Sequence, residues 1–342
     1  MSWKIKKVAI YNYAANLVTM HRPRRLRAND NIREMISETH LSAANLIYPV
    51  FICDGEKLEQ PIRTLPGQNR MSPDVLVEKI TTWKKLGLKN YALFPKIDDA
   101  KKDSTASEAL NDNGLLPRTI KLLKQKHPDI CLFTDIALDP YSSDGHDGLV
   151  KNGEILNDET VEILAKMAVK QASWGADWVC PSDMMDGRVD AIREALDDAG
   201  FIKTSILSYT AKYASSFYGP FREALDSAPK AGDKKTYQMD FRNRKEALRE
   251  MDLDIFEGAD MVMVKPGLPY LDIVADLKAH SSVPVAVYNV SGEYAMLHFA
   301  AEAGALDLEK TMMECMYAFR RAGADVILTY FAPDVARVLT TK

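Results

Sequence analysis

The stretch Gly258-Ala259-Asp260-Met261-Val262-Met263-Val264-Lys265-Pro266-Gly267 decides the fold. Glycine stops a helix. Four apolar residues in a row then form a strand buried on both faces, and Pro266-Gly267 ends it directly after Lys265. An ammonium at the end of such a strand loses much of its hydration, which lowers its pKa and leaves a neutral amine near pH 7. A neutral amine attacks carbonyl carbon and forms a Schiff base. The alternative is a lysine that snorkels its head to water from the strand end.

Working outward, the same tripeptide recurs as Gly175-Ala176-Asp177 and Gly323-Ala324-Asp325, each time between a helical pattern and an apolar run. The repetition marks one architectural unit used again. Strands are predicted at Ile47–Phe51, Tyr91–Phe94, Cys131–Asp135, Trp178–Pro181, Ser205–Ser208, Met261–Lys265, Val285–Tyr288 and Val326–Tyr330. Helical patterns lie between them at Val75–Leu86, Asp158–Trp174, Val189–Ala199, Arg244–Glu257, Tyr270–His280 and Leu308–Ala322. This alternation fits an α/β chain folded as a (β/α)8 TIM barrel over residues 41–342. A doubly wound sheet is the alternative, but no Gly-rich dinucleotide fingerprint follows the first strand. Residues 1–40 lack a clean buried strand and carry His21-Arg22-Pro23-Arg24-Arg25-Leu26-Arg27. They read as an extended N-terminal arm for subunit contacts, and hence as part of a homo-oligomer. The basic run has no interleaved aromatics, which disfavours a nucleic-acid tail.

The 342 residues are 46% hydrophobic and 27% charged, with a net charge of −4. Nothing in that balance suggests nucleic-acid or membrane partners, and no apolar run reaches the ~18 residues of a membrane span. Cys53, Cys131, Cys180 and Cys315 are far apart and contain no CxxC pair. Reduced thiols and the lack of a secretory pattern lead to the expectation of a cytoplasmic protein.

Barrel enzymes place their chemistry at the C-terminal ends of strands. That rule selects Asp135, Ser182, Asp183, Tyr209, Lys212, Lys265, Ser291 and Tyr330. Lys212 and Lys265 would project from adjacent strands ~4.8 Å apart. Two like charges at close range depress each other's pKa, so either two activated amines hold two carbonyl substrates or one amine reacts while the other acts as an acid.

Several long segments resemble the porphobilinogen synthase (5-aminolevulinate dehydratase) family. They are Met261–Gly267, Lys212-Tyr213-Ala214-Ser215-Ser216-Phe217-Tyr218-Gly219-Pro220-Phe221-Arg222, Pro181-Ser182-Asp183-Met184-Met185-Asp186-Gly187-Arg188 and Asn289-Val290-Ser291-Gly292-Glu293-Tyr294. The resemblance runs nearly end to end and implies a TIM barrel whose arm wraps a neighbour, usually in a homo-octamer. It implies condensation of two 5-aminolevulinate molecules to porphobilinogen with loss of two waters, an early step of tetrapyrrole (haem) biosynthesis. Lys265 and Lys212 would each form a Schiff base. Arg222 and Lys234, with Gln238, would hold one carboxylate from a lid over Lys230–Gln238, while Ser291 and Tyr330 would bind the other. Ser182 and Tyr209 would line the substrate site, and Asp135, Asp139 and Asp147 would move protons.

Zinc-dependent members carry three cysteines at the positions of Ala137, Asp139 and Asp147. Carboxylates suit magnesium rather than zinc, and Ala137 binds nothing. The resemblance is therefore to the aspartate-rich branch, with Mg2+, often a monovalent cation, and no zinc expected at the active site. It implies a regulatory magnesium at Glu250, which would make this an allosteric enzyme. Asp144 departs from the family pattern, which has histidine there. A single-Schiff-base aldolase and an inactive barrel serving as a scaffold are the competing readings.

Overall fold

The computed structural model describes residues 22–341 and divides the chain between His40 and Leu41. In the first unit the described part of the expected arm forms a 3-10 turn, Pro23–Arg27, and a short helix, Asp30–Met35. The earlier part of the arm, including His21, lies outside the described residues.

The second unit is a closed parallel barrel. Its strands are β1 (Leu46–Ile52), β2 (Asn90–Pro95), β3 (Cys131–Ile136), β4 (Trp178–Pro181), β5 (Ser205–Lys212), β6 (Met261–Lys265), β7 (Val285–Asn289) and β8 (Val326–Thr329). Each pairs with the next, and β8 pairs with β1 through Leu46↔Ile327, which closes the sheet. Closure settles the choice against a doubly wound sheet. All eight predicted strands are present. The main revision is β5, which runs on to Lys212 instead of stopping at Ser208. A register irregularity opposite Val262–Val264 gives β5 the extra length and makes Lys212 and Lys265 direct register partners.

The Gly-Ala-Asp repeat has a structural cause at the opposite end of the barrel. Gly175, Gly258 and Gly323 take φ of 115°, 105° and 114°, the left-handed geometry that terminates a helix. Each following aspartate brackets the preceding strand. Asp260 donates its N–H to the Ile206 carbonyl at 3.0 Å, and its Oδ2 accepts the Ile206 N–H at 2.8 Å. Asp177 does the same with Leu132 and Asp325 with Val285. The motif thus ties alternate strand starts together and satisfies buried backbone groups.

Helices outside the sequence expectations include Leu115–Lys126, Gly219–Leu225, Ser291–Glu302 and Ala332–Thr340. No helix of the described residues is long and apolar enough to cross a membrane. All four cysteines are free.

Candidate active site

At the C-terminal mouth, rings from β1, β5 and β7 and from the turn after β8 form a floor. Phe51 stacks on Tyr330 at 5.9 Å between centroids, Tyr330 meets Tyr288 at 6.1 Å, and Tyr288 meets Tyr209 at 6.3 Å. Lys265 rises from β6 above this floor. Its Nζ lies 4.7 Å from the Tyr288 ring centroid, 4.9 Å from Tyr209, 5.2 Å from Tyr218 and 5.3 Å from Phe221. No carboxylate reaches ion-pair distance of Lys265 among the described residues. Burial, reinforced by the Lys212 ammonium, lowers its pKa from 10.5 to about 7.

The two amines are held differently. Lys212 Nζ donates to Asp147 Oδ2 at 3.1 Å and to the Ser182 carbonyl. Asp147 also accepts from Lys234 Nζ at 2.6 Å, and Lys234 lies 3.5 Å from Asp139. Burial would raise the Asp147 carboxyl, but Lys212 and Lys234 together hold it well below the usual range. Asp135 and Asp139 move the other way. Burial and the neighbouring Asp139 charge push Asp135 up to about 7, and burial also raises Asp139 against the pull of Lys234. Asp135 Oδ1 is buried without a hydrogen-bond partner. One rim therefore holds a dry amine, a paired amine and a carboxyl balanced between acid and base.

Lys265, Lys212, Asp135, Asp139, Asp147, Ser182, Arg222, Lys234 and Gln238 converge on one small cavity of about 30 Å³. That is room for about one water. The lid side is tightly tied. Arg70 donates to the Ala224 and Glu223 carbonyls at 2.7 Å each, and Lys102 donates to Asp226 O at 2.9 Å. His146 Nε2 contacts the Ala231 carbonyl at 2.9 Å, and the Asp144 carbonyl accepts the Lys230 N–H at 3.0 Å. Gln238 is buried with an unpartnered Oε1. Arg222, on the helix Gly219–Leu225, has no carboxylate partner among the described residues.

Ser291, Tyr330 and Tyr209 fall elsewhere. Ser291 Oγ accepts the Phe221 N–H at 3.0 Å, which ties it to the helix Gly219–Leu225. Tyr330 and Tyr288 share a hydroxyl–hydroxyl hydrogen bond at 3.1 Å, and Tyr209 supports Lys265 from the floor. Glu250 is half-buried on the helix Glu246–Phe256, lining a separate cavity of about 840 Å³ with Asp186, Glu246 and His146. Burial raises its carboxyl against the pull of Arg188. No group of three His, Cys, Asp or Glu side chains is arranged for a metal among the described residues. The carboxylates of Asp186, Glu246 and Glu250 on this cavity are oxygen donors of the kind a hard cation takes.

Sequence reasoning missed the aromatic cage, because Tyr218, Phe221 and Tyr288 look like ordinary core residues. It also missed Glu293. The signal was present: a glutamate in the first turn of a helix that opens directly after a strand.

The delta-aminolevulinic acid dehydratase family model matches residues 20–338. A soybean (Glycine max) chloroplastic delta-aminolevulinic acid dehydratase is 58% identical over 93% of this chain and 77% of its own length. Its Arabidopsis thaliana counterpart, also chloroplastic, is 57% identical over 93% of this chain and 74% of its own. A Toxoplasma gondii delta-aminolevulinic acid dehydratase (porphobilinogen synthase), solved with the reaction product porphobilinogen, superimposes with a TM-score of 0.92. It is 52% identical, with 94% of this chain and 92% of that chain covered. The chloroplastic relatives overturn the cytoplasmic expectation and point to a plastid. Free thiols could not make that distinction, since they report only a reducing setting.

Proposed function

The chain belongs to the delta-aminolevulinic acid dehydratase family, and we infer from that premise that it is a porphobilinogen synthase, condensing two 5-aminolevulinate molecules with loss of two waters. The observation that carries the reading is the pairing of Lys265 and Lys212 in direct register at one dry rim.

The neutral Lys265 amine adds to one ketone carbon and water leaves, giving an imine. Lys212 does the same with the second ketone. The proton on the ion-paired amine leaves through the rim carboxylates and returns to the departing hydroxyl as water, which leaves Asp135 ionised for the next step. Imine formation makes the adjacent C–H acidic, and its loss to Asp135 gives an enamine. The enamine carbon bonds to the other imine carbon, and elimination releases one lysine amine. The free amino group of one substrate then displaces the other lysine, closing the ring, and a final proton loss makes it aromatic. Both waters come from imine formation and both lysines are regenerated. Arg222 and Lys234 hold one carboxylate, with Gln238 alongside. For the second carboxylate, Ser291 and Tyr330 exchange their present hydroxyl partners for it as the lid moves.

Glu250 would hold magnesium chiefly through water, and the cation would supply charge that favours assembly and so regulates activity. A monovalent cation would add to that control, and zinc is not expected at the rim, where Ala137 offers no ligand and Asp139 and Asp147 pair with lysine. The assembly is a homo-octamer in which residues 1–40 embrace a neighbour.

The asymmetry of the two amines favours one alternative, a single-imine aldolase acting through Lys265. Borohydride reduction with 5-aminolevulinate separates the readings. Mass addition at both lysines supports the synthase, addition at Lys265 alone supports the aldolase, and addition at neither supports an inactive scaffold. Titrating chelated protein with magnesium and zinc separately tests the metal, and recovery with zinc alone overturns its assignment.

A further inference from the structure

One buried carboxylate beside Lys265 takes no part in the chemistry above. Glu293 lies in the first turn of the helix Ser291–Glu302 with no exposed surface. Its Oε1 accepts the N–H groups of Gly267, at 3.1 Å, and Leu268. Its Oε2 accepts the Val290 N–H at 2.6 Å and the Asn289 Nδ2 at 3.1 Å. One oxygen thus grips the turn that follows Lys265, and the other grips the end of β7. Asn289 in turn accepts from Thr329 of β8 at 2.9 Å, so the chain of bonds crosses three neighbouring strand ends.

A helix start needs only a modest cap, and a serine or aspartate supplies it. A fully buried carboxylate with four donors and no cation is an expensive way to do so. Burial pushes the Glu293 carboxyl up to about 7 despite those donors. The residues around it leave little slack. A Cβ at Gly267 would meet the Phe319 ring at 2.6 Å, and one at Gly292 would meet the Phe217 carbonyl oxygen at 2.5 Å. On the other side of the turn, the Lys265 carbonyl accepts from Tyr213 N–H at 2.9 Å and Tyr218 Oη at 3.1 Å. Lys212 is held by different groups, Asp147 and the Ser182 carbonyl.

We propose that Glu293 is a positioning residue for Lys265 alone, clamping the turn after β6 so that Nζ leaves its ring of aromatics aimed at the ketone carbon. The proposal rests on the two-imine reading. Glu293→Gln keeps the shape but sets an amide NH2 against two of the present donors, so one side of the clamp opens. The expected result is a roughly 10- to 100-fold fall in kcat with KM nearly unchanged. In borohydride trapping with 5-aminolevulinate, mass addition at Lys265 slows by the same factor while Lys212 in the same sample keeps the wild-type rate. Glu293→Asp retains the charge but is too short to span both sides. It gives a smaller, equally selective slowing and replaces the glutamine variant if that fails to fold. Equal slowing at both lysines, or a lower Tm with unchanged trapping at Lys265, overturns the proposal. Wild-type protein that labels at neither lysine overturns the two-imine reading first, and this proposal with it, without any variant being made.

Discussion

Replacing Lys265 with methionine should abolish the chemistry and make the protein more stable. The lysine pKa falls from 10.5 to about 7, and each tenfold step in proton affinity is worth roughly 1.4 kcal/mol. The folded state therefore bears about 5 kcal/mol for burying this amine when the unfolded lysine is protonated. The four surrounding rings return part of that, on the order of 0.5–2 kcal/mol through cation–π attraction. Methionine matches the lysine stem in volume and packs well against aromatic edges. The net gain at pH 7 should be about 2–4 kcal/mol. Its pH dependence is the sharper test. Between about pH 7 and 10.5 the unfolded chain holds a proton that folded Lys265 has lost, so wild-type stability rises with pH across that window. The methionine variant lacks this rise, and its advantage should shrink towards zero near pH 10.5. Urea midpoints at equal protein concentration, measured from about pH 7 to about pH 10, provide the assay. A variant that unfolds no later than wild type at pH 7, or an advantage that does not shrink with pH, would refute the burial argument.

Three further outcomes are expected. The logarithm of kcat/KM should climb with pH and level off above about 7, because Lys265 must lose a proton and Asp135 must be ionised; a flat profile from acid to neutral pH contradicts this. Asp147→Asn removes the anion shared by Lys212 and Lys234 and should cost roughly 3–5 kcal/mol in chemical denaturation; a variant as stable as wild type would show that the pairing is not needed. Asp260→Ala orphans the Ile206 N–H at the far end of the barrel and should cost about 1–3 kcal/mol while leaving kcat within a factor of two or so; a large fall in kcat would mean that the two ends are not independent.

The sequence by itself determined the barrel and the two lysines. Runs such as Met261–Val264 are legible because a strand buried on both faces admits few polar residues. Gly258-Ala259-Asp260 and its repeats are legible because a left-handed helix stop favours glycine. Arg222, Lys234 and Gln238 came from family resemblance, and they line one cavity with the lysines. What surrounds each amine is a matter of the folded barrel, because those groups come from distant segments: Asp147 beside Lys212, and Tyr209, Tyr218, Phe221 and Tyr288 around Lys265. The same holds for Glu293, an ordinary first-turn acid in sequence. Its four donors come from two loops that meet only when the barrel closes.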